Sequence, residues 1–475
     1  MSKKKKNKLR EQIEDIVCGY VDNPCAGYEP HRIAAGIPLA MRGTYSDAQL
    51  VGIPQGREGH AIIFGGSGSG KSTGPIMAAL NTWEGGMVVT DPKGELYRYY
   101  KDLYDNRLVE RPPLLFDPTQ ADSIKYDPFW FLAQNEDDLV SNISEIVHAM
   151  IPMPIDCREP YWVDTKRAVL EAGILYYHRL GLNFSETLSK LITEPLSKML
   201  ETLSGCGDPS VKVIIGSMIK LKPEELASHD RGLRNELMVW TTDKRINNAF
   251  DCVWKRDDDC FCWNDLSKFN IFIRIPEERI EQWSAPVRLM LTQLFGYLER
   301  RPDKFTDKIE PSILLMLDEF ARFGKIEGIT NALCTLRSKN VNVVLALQSF
   351  AQLDKHYGIE ERRIICDNCQ YKLILQASDP ETQSSLSNLI GVHKKKLHSS
   401  GRSMDTDHKN TGYSKQKSET YLPRVFPHEL SSLEDAILLS PYGEERLEKI
   451  SVYDPEFEQL LYSHLLTAKP LSWAN

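Results

Sequence analysis

The sequence predicts an α/β fold, in which a mostly parallel sheet carries a phosphate-binding loop and is interrupted by an inserted all-α domain. Three observations support this prediction. A short apolar strand runs into a glycine-rich GxxxxGK[ST] loop, and a helical segment follows the loop. Other short apolar strands alternate with helical segments, as in parallel sheets covered on both faces. The middle of the chain shows helical periodicity alone.

The phosphate-binding loop lies between a strand-like segment, His60 to Phe64, and a helical segment, Ser72 to Leu80. Its glycines let successive backbone N–H groups turn towards a phosphate, and the helix start adds partial positive charge. In this arrangement the Lys71 ammonium reaches the β- and γ-phosphates, while the Ser72 hydroxyl ligates Mg²⁺. We therefore predict that a nucleoside triphosphate is bound by Gly65, Gly66, Ser67, Gly68, Ser69, Gly70, Lys71, Ser72 and Thr73.

Two strands are expected after the loop: Met87 to Thr90, followed by Asp91-Pro92-Lys93-Gly94-Glu95, and Leu114 to Phe116. The pattern then changes to helical spacing, and strand signals resume at Asn270 to Ile275. The predicted organisation is a basic N-terminal extension over 1–40, a nucleotide-binding domain in two parts over 41–135 and 265–475, the latter with a C-terminal tail, and an inserted all-α domain over 136–264.

A second part of the nucleotide site is predicted at the apolar strand Ile313 to Leu317, which two carboxylates follow. Ligands of open α/β sheets bind at the carboxyl ends of strands. Asp318 is placed to hold the Mg²⁺ shell, and Glu319 is placed to polarise the attacking water as general base. Taken alone, the same pattern also fits a strand that ends in a solvated acidic turn.

A further strand, Val341 to Leu347, ends in Gln348. An amide at that position can contact the γ-phosphate or the attacking water and so report whether the phosphate is present. Arg337 lies between the two strands. From the sequence alone it is either a surface residue or an arginine finger that reaches the nucleotide of a neighbouring subunit.

Composition limits the remaining possibilities. The chain has 475 residues, 41% of them hydrophobic, 26% charged, with no run approaching the ~18 apolar residues of a membrane span. The start, MSKKKKNKLR, lacks the apolar stretch of a signal peptide. We therefore expect a cytoplasmic protein whose ten cysteines are reduced. The net charge of −8 excludes a globally basic nucleic-acid binder, so any DNA contact must use a local patch.

The motifs GSGSGKS, VVTDPKGEL, LLMLDEFARFGKI, LRSKN and ALQSFAQL occur in this order within residues 40–450. Together they resemble the conjugative coupling proteins of type IV secretion systems, the TraG/TraD-like family. The resemblance implies a RecA-like P-loop ATPase with an inserted all-α domain, which assembles as a homo-hexameric ring and uses ATP and Mg²⁺. It also implies delivery of relaxase-bound DNA or protein substrates to a secretion channel.

Site residues follow from the same resemblance. Lys71 and Ser72 match the family's phosphate-loop pair, and Asp318 and Glu319 match its acidic pair. Arg337 lies 19 residues beyond Asp318, where the family has a proposed finger arginine, and Gln348 lies 30 residues beyond it, at the family's sensor glutamine. The resemblance further implies that two residues of the DPKGE segment shape the nucleotide site, Asp91 and Lys93.

Partners are implied in the same way: DNA, expected to be single-stranded and relaxase-bound, the relaxase and accessory transfer proteins, and membrane components of the secretion system. Most family members carry N-terminal transmembrane helices, which this sequence lacks. We therefore expect a cytoplasmic protein attached peripherally to the membrane through a partner. Two alternatives share the nucleotide motifs: another ring-forming DNA translocase, and a nucleotide-gated receptor that docks cargo without pumping DNA.

Two weaker patterns complete the sequence-based expectations. Cys366 and Cys369 have metal-like spacing but no second pair, so buried thiols are expected, and Cys260 and Cys262 are likewise expected to lack partners. The polar, basic segment 393–417 is expected to be a long mobile loop, with DNA contact as an open alternative.

Overall fold

A computed structural model describes residues 35–43, 48–132, 135–154, 157–252, 259–304, 310–404, 410–458 and 460–461. The predicted basic extension over 1–40 lies almost entirely outside these residues. No helix in the described ranges is long and apolar enough to cross a bilayer.

The described residues contain strands and helices in the alternation that the sequence predicts. The strands are β1 Gly36–Arg42, β2 Gln49–Pro54, β3 Ala61–Phe64, β4 Gly86–Thr90, β5 Pro113–Phe116, β6 Lys125–Tyr126, β7 Cys260–Phe261, β8 Asn270–Ile273, β9 Ile313–Leu317, β10 Val341–Leu347, β11 Tyr371–Ile374, β12 Val392–Met404, β13 Asn410–Pro423, β14 Ala436–Ser440 and β15 Gly443–Leu447. The helices are α1 Met77–Thr82, α2 Glu95–Asp105, α3 Leu139–Met150, α4 Pro160–Arg179, α5 Phe184–Thr193, α6 Leu196–Gly205, α7 Pro209–Ile215, α8 Pro223–Thr242, α9 Lys244–Phe250, α10 Ser284–Glu299, α11 Ile329–Thr335, α12 Phe350–Asn368 and α13 Pro380–Ile390.

Within the described ranges, the central sheet has nine strands in the order β15-β14-β11-β3-β10-β9-β4-β8-β5. The strands from β11 to β5 are parallel, and β14 and β15 add an antiparallel edge. The prediction of a mostly parallel α/β sheet is therefore confirmed. Because β10 pairs with both β3 and β9, the three strands that precede the nucleotide motifs are neighbours.

Side chains of the central strands are buried on both faces of the sheet. Ile62 and Leu315 pack in one core together with the helices of the middle region. Ile63 and Leu314 pack in a second core with β1, β2, α1 and α2. Continuous apolar strands are typical of parallel sheets with both faces covered. This explains why these strands read as unbroken apolar runs instead of alternating patterns.

The middle region leaves and re-enters the sheet domain at one place. β6 and β7 pair in parallel, with Lys125 opposite Cys260 and Tyr126 opposite Phe261, and helices α3 to α9 lie between them in the chain. Tyr126 contacts Phe250 and Phe261 through its ring. The region is helical as expected. The boundaries 136 and 264 of an inserted domain remain a prediction.

Helix α3, although it lies within the predicted insertion, packs against α10 of the sheet domain. The Arg300 guanidinium donates a hydrogen bond to Asn142 Oδ1 at 3.1 Å. A Cβ placed on Gly296 of α10 would lie 2.5 Å from Glu145 Oε1, so the two helices approach closely at that glycine. α3 therefore belongs structurally to both units.

The segment after β15 crosses the helix that follows the phosphate-binding loop. Glu448 exchanges backbone hydrogen bonds with Met41, and Val452 N–H donates to Thr73 O at 2.9 Å. A Cβ on Gly74 would lie 2.4 Å from Ile450 O. Only glycine therefore fits at this contact between the first turn of the helix and the C-terminal segment.

Two expectations about local structure are wrong. Residues 393–417 do not form a long loop, since β12 and β13 make an antiparallel ribbon in which Val392 pairs with Pro423 and Met404 with Asn410. Cys260 has a partner: it forms a disulfide with Cys252, across a Cα–Cα distance of 6.1 Å, so the expectation that all ten cysteines are reduced is wrong as well. This separation lies within the range of disulfide-bonded pairs.

The expectation of buried thiols at Cys366 and Cys369 is confirmed. Both side chains are buried at the end of α12. Burial raises the pKa of Cys366 to about 12 and also raises that of Cys369. Among the described residues, no group of histidine, cysteine or acidic side chains has an arrangement suited to a metal ion.

Candidate nucleotide-binding site

The phosphate-binding loop, the Asp318–Glu319 pair and Gln348 lie at the carboxyl ends of β3, β9 and β10. These strands are adjacent and parallel, so the three segments meet at one edge of the sheet. Ligands of open parallel sheets bind at this edge. The structure thus brings together groups that are more than 240 residues apart in sequence.

The loop adopts a conformation that requires several of its glycines. Gly68 and Gly70 have φ of 77° and 90°, which a residue with a Cβ rarely adopts. A Cβ on Gly65 would lie 2.2 Å from Ser69 Oγ. Gly65 N–H also donates to Leu347 O at 3.0 Å, which fixes the start of the loop to β10.

Two side chains of the loop have polar groups turned towards its interior. Lys71 is buried, and its ammonium donates hydrogen bonds to Gly65 O at 2.5 Å and Gly66 O at 3.1 Å. Burial lowers the pKa of Lys71, while the charges of Glu319 and Asp318 act in the opposite direction. Ser69 Oγ is buried without a hydrogen-bond partner in the described residues. A phosphate oxygen fits this set of donors.

The predicted magnesium ligands face each other. Ser72 Oγ donates a hydrogen bond to Asp318 Oδ2 at 3.2 Å, and Asp318 Oδ1 accepts one from Glu319 N–H. Burial and the charge of Glu319 raise the pKa of Asp318 to about 6, although Lys71 opposes this shift. A hydroxyl and a carboxylate at hydrogen-bond distance are oxygen ligands of the kind that Mg²⁺ takes, so the residues fit this ion.

Glu319, the predicted general base, is held by the predicted sensor. Gln348 Nε2 donates to both carboxylate oxygens of Glu319, at 2.9 and 3.1 Å. Glu319 is buried and has a left-handed backbone conformation, with φ of 52°. Such a conformation in a residue other than glycine costs on the order of 1 kcal/mol and is frequent at functional sites. Thr90 Oγ1 supports the turn by donating to Asp318 O.

The DPKGE segment has a different place in the site. The Asp91 carboxylate is buried and accepts a hydrogen bond from Tyr97 N–H at 2.8 Å, so it fixes the turn that begins α2. Burial raises its pKa. Lys93 is exposed, and its charge lowers the pKa of Lys71. A contact of either residue with nucleotide remains a prediction.

Gln376 and Ser378 also border the loop, a position that sequence reasoning did not assign to them. A Cβ on Gly66 would lie 3.6 Å from Gln376 Oε1 and 3.7 Å from Ser378 Oγ. Both residues follow β11, which pairs with β3 on the side away from β10. Polar residues directly after an apolar strand were the available signal, as at Gln348.

Arg337 lies at the opposite end of the parallel strands, where their amino termini are. It precedes β10, and its guanidinium lies 3.5 Å from the carboxylate of Glu58, which precedes β3. Glu58 also pairs with Lys304 at 2.8 Å. The seven residues of β10 span about 20 Å. Arg337 therefore does not reach the phosphate-binding loop of its own subunit.

Comparison with known proteins gives the family. The model of the family described as Type IV secretory system Conjugative DNA transfer matches residues 11–460. The chain belongs to this family.

Individual members of this conjugative DNA transfer family are distant in sequence. The conjugal transfer protein TraG of Rhizobium radiobacter is 22% identical over 389 residues, which are 78% of this chain and 58% of that protein. Protein VirD4 of Agrobacterium fabrum (strain C58) is 20% identical over 435 residues, 88% of this chain and 62% of that protein. The chain thus spans about six tenths of the length of these curated relatives.

Solved structures show the same fold. The bacterial conjugative coupling protein TrwBdeltaN70, in its unbound monoclinic form, has a TM-score of 0.60 at 16% identity, covering 84% of this chain and 87% of that one. TrwB in complex with ADP and Mg²⁺ has a TM-score of 0.58 at 16% identity, covering 86% and 90%. The prediction of a RecA-like P-loop fold is confirmed by this likeness.

Proposed function

We propose that the chain is a coupling ATPase, which recruits relaxase-bound DNA or protein substrates and uses ATP hydrolysis to deliver them to a type IV secretion channel during conjugative transfer. The observation that carries the proposal is the meeting of Lys71, the Ser72–Asp318 pair and the Glu319–Gln348 pair at one sheet edge. Membership of the conjugative DNA transfer family supplies the biological setting.

The residues divide the chemistry of hydrolysis among them. Lys71 exchanges its loop carbonyls for oxygens of the β- and γ-phosphates, and the loop N–H groups complete the cradle. Ser72 and Asp318 hold Mg²⁺, which when bound offsets the charge on the phosphate oxygens. Glu319 accepts a proton from the attacking water. Gln348 donates to both oxygens of Glu319 and leaves a further lone pair on each, so it orients the base while water can still approach.

Arg337 is proposed to act between subunits of a homo-hexameric ring. Its distance from the phosphate-binding loop of its own chain supports action in trans. An arginine from a neighbour neutralises charge that develops on the γ-phosphate, an effect of about 10³–10⁵ in rate. The Glu58 carboxylate, at 3.5 Å, holds the guanidinium in the single chain and is released when a neighbour's nucleotide takes its place.

Partners and location complete the proposal. The helical unit between β6 and β7 is proposed to recognise the relaxase or other cargo, while DNA and accessory transfer proteins reach the ring. Attachment to the membrane is proposed to be peripheral, through a component of the secretion system. In membranes of the native host, extraction of the chain by carbonate or high salt supports this attachment. A requirement for detergent contradicts it.

ATP hydrolysis measured with and without DNA tests the proposed function. A coupling motor is expected to hydrolyse ATP faster when single-stranded DNA is added, and Lys71→Ala should abolish both rates. Hydrolysis that ignores DNA but responds to the relaxase would instead indicate a nucleotide-gated docking receptor. Hydrolysis stimulated by duplex DNA, with no relaxase binding, would indicate a translocase of another kind.

A further inference from the structure

The β12–β13 ribbon is separate from the central sheet. Its 13-residue and 14-residue strands pair only with each other in the described part of the chain. A two-stranded ribbon without a covering layer is marginally stable in water. A partner that lies along the ribbon would add to its stability.

The charge of the ribbon indicates the chemistry of that partner. Its two strands contain six lysine and arginine residues and one glutamate, a net charge of +5 in a chain whose net charge is −8: Lys394, Lys395, Lys396, Arg402, Lys415, Lys417 and Glu419. Such local concentration of positive charge in an acidic protein is complementary to a polyanion.

The side chains near the base of the ribbon combine charge with an aromatic ring. Lys394 forms an ion pair with Glu419 at 2.6 Å, whereas Lys395 and Lys396 are exposed and form no ion pair in the described residues. Tyr421 lies opposite Lys394 in the ladder and is 67% exposed. Proteins that bind single-stranded nucleic acid combine lysines, which contact phosphates, with aromatic rings, on which bases stack.

We propose that the β12–β13 ribbon is a binding arm for single-stranded nucleic acid, with Lys395 and Lys396 on the phosphates and Tyr421 stacked on a base. This inference rests on the proposed function and names the element that contacts its nucleic-acid substrate. The ribbon would be the local basic patch through which this acidic chain contacts nucleic acid.

A short series of contacts joins the arm to the nucleotide site. Arg424 N–H, directly after β13, donates to Gly391 O at 3.0 Å and closes the base of the ribbon. The next turn, Pro427–Ser431, accepts a hydrogen bond from Gln376 Nε2 at Ser431 O. Gln376 in turn borders Gly66 of the phosphate-binding loop. The base of the ribbon and the phosphate-binding loop are thus joined by one series of neighbouring residues.

The test measures binding of a fluorescent single-stranded oligonucleotide to the full chain over a range of salt concentrations. For K395Q/K396Q, loss of two phosphate contacts should reduce the slope of log affinity against log salt by about 1.4, and affinity at 0.1 M salt by about 25-fold. Y421S should lose about 5- to 150-fold in affinity with the slope unchanged. ATP hydrolysis without DNA should remain as in the original chain.

Matched controls are available elsewhere on the surface. K190Q/K212Q removes two exposed lysines of the helical region, and Y453S removes a tyrosine that is also 67% exposed. Both should bind the oligonucleotide normally. An unchanged slope and affinity in K395Q/K396Q, with binding intact in the original chain, overturn the inference alone. Failure of the original chain to bind any oligonucleotide overturns the DNA part of the proposed function as well.

Two other occupants of the ribbon give distinct results. If K395Q/K396Q loses oligonucleotide binding only together with assembly, as measured by mass photometry, the ribbon is a contact between subunits and the inference is wrong. If the variant keeps oligonucleotide binding but loses binding to phosphatidylglycerol vesicles, the ribbon contacts a membrane surface, and the inference is again wrong.

Discussion

The Glu319 carboxylate is buried, its residue has a left-handed backbone, and it accepts two hydrogen bonds from a single amide. The donor of both hydrogen bonds, Gln348, follows the neighbouring strand β10. A general base needs a free lone pair that faces the attacking water. The Gln348 contact orients the base and leaves a lone pair on each oxygen for this purpose.

The first prediction concerns this base. Glu319→Gln keeps the size of the side chain and a carbonyl oxygen that accepts from Gln348, but the neutral amide accepts no proton from water. ATP binding should be retained, and hydrolysis should fall by about 10²–10⁴-fold. Binding of a fluorescent ATP analogue and phosphate release measure the two effects, with the exposed Glu278→Gln as control. An unaltered rate in Glu319→Gln excludes this role.

The second prediction concerns pH. The pKa of Asp318 is raised to about 6, so the folded chain binds this proton more tightly than the unfolded chain, and ionisation of Asp318 costs stability as pH rises from about 4 to 6. Mg²⁺ requires the ionised form. The Mg²⁺-dependent part of ATP affinity should therefore decline below pH 6, approaching tenfold per pH unit.

ATP affinity measured in Mg²⁺ and in EDTA between pH 5 and 8 tests this prediction. The terminal phosphate also titrates near pH 6, so Asp318→Asn supplies the baseline without the carboxylate. The exposed Asp367→Asn should behave as the original chain. Identical pH profiles for Asp318→Asn and the original chain would falsify the assignment of Asp318 as the titrating ligand.

The sequence motifs indicate candidate residues for the site but not the contacts between them. Lys71, Asp318 and Glu319 were recognisable because their motifs are short and follow apolar strands. The contact of Gln348 with Glu319 requires β10 to lie beside β9, and the motifs around these two residues do not predict the order of strands in the sheet. Gln376 was missed for the same reason, since its approach to Gly66 depends on β11 pairing with β3.

At the scale of elements, the sequence predicted the helical region but not the β12–β13 ribbon. Apolar residues at helical spacing predicted the helices, since each buries one face. The strands of the ribbon lack the apolar alternation that indicates a half-buried strand, and their polar composition suggested a loop. The disulfide between Cys252 and Cys260 was not predicted either, because the spacing of two cysteines alone does not indicate whether they pair.

The third prediction concerns recognition by the helical region. Removal of Pro160–Thr242, with a flexible Gly/Ser linker, keeps α3 against α10 and keeps α9 near Phe116. ATP affinity should be retained, because every nucleotide motif lies outside the deletion, whereas relaxase binding in pull-down assays should be lost. Relaxase binding that persists undiminished would place recognition elsewhere.

Two surface substitutions test the same prediction without the risk that the deleted chain misfolds. Val213 and Ile219 are large apolar side chains of the helical region with 81% and 54% exposure. Val213→Asp with Ile219→Asp should reduce relaxase binding without changing thermal stability, because neither side chain is buried. Leu389→Asp, which changes a half-exposed residue of α13, is the matched control and should bind relaxase normally.

At the scale of the whole molecule, the two ends of the parallel strands carry different parts of the proposed site. The phosphate-binding loop lies at the carboxyl ends of the strands, and Arg337 lies beside Glu58 at their amino ends. The proposed ring accounts for this separation, because it would bring Arg337 of one copy beside the phosphate-binding loop of the next. A closed ring provides one such contact for every subunit.

The fourth prediction concerns this contact. Arg337→Ala should bind ATP with nearly normal affinity but hydrolyse it slowly, because a finger stabilises the transition state more than the bound nucleotide. Mixing Arg337→Ala with Lys71→Ala should restore part of the activity, since some interfaces then pair an intact Arg337 with an intact Lys71. Arg363→Ala, on an exposed part of α12, should hydrolyse ATP normally. No rescue in rings shown to be mixed would mean that Arg337 acts within its own subunit or only structurally.

The contact of the C-terminal segment with the helix after the loop has a practical consequence for protein engineering. Val452 and Ile450 lie against Thr73 and Gly74, one turn from Lys71. A truncation after β15 would remove this support and uncover the first turn of the helix, so a shortened chain would understate nucleotide affinity. Expression designs should therefore retain residues up to at least Leu461 and place a cleavable affinity tag beyond them.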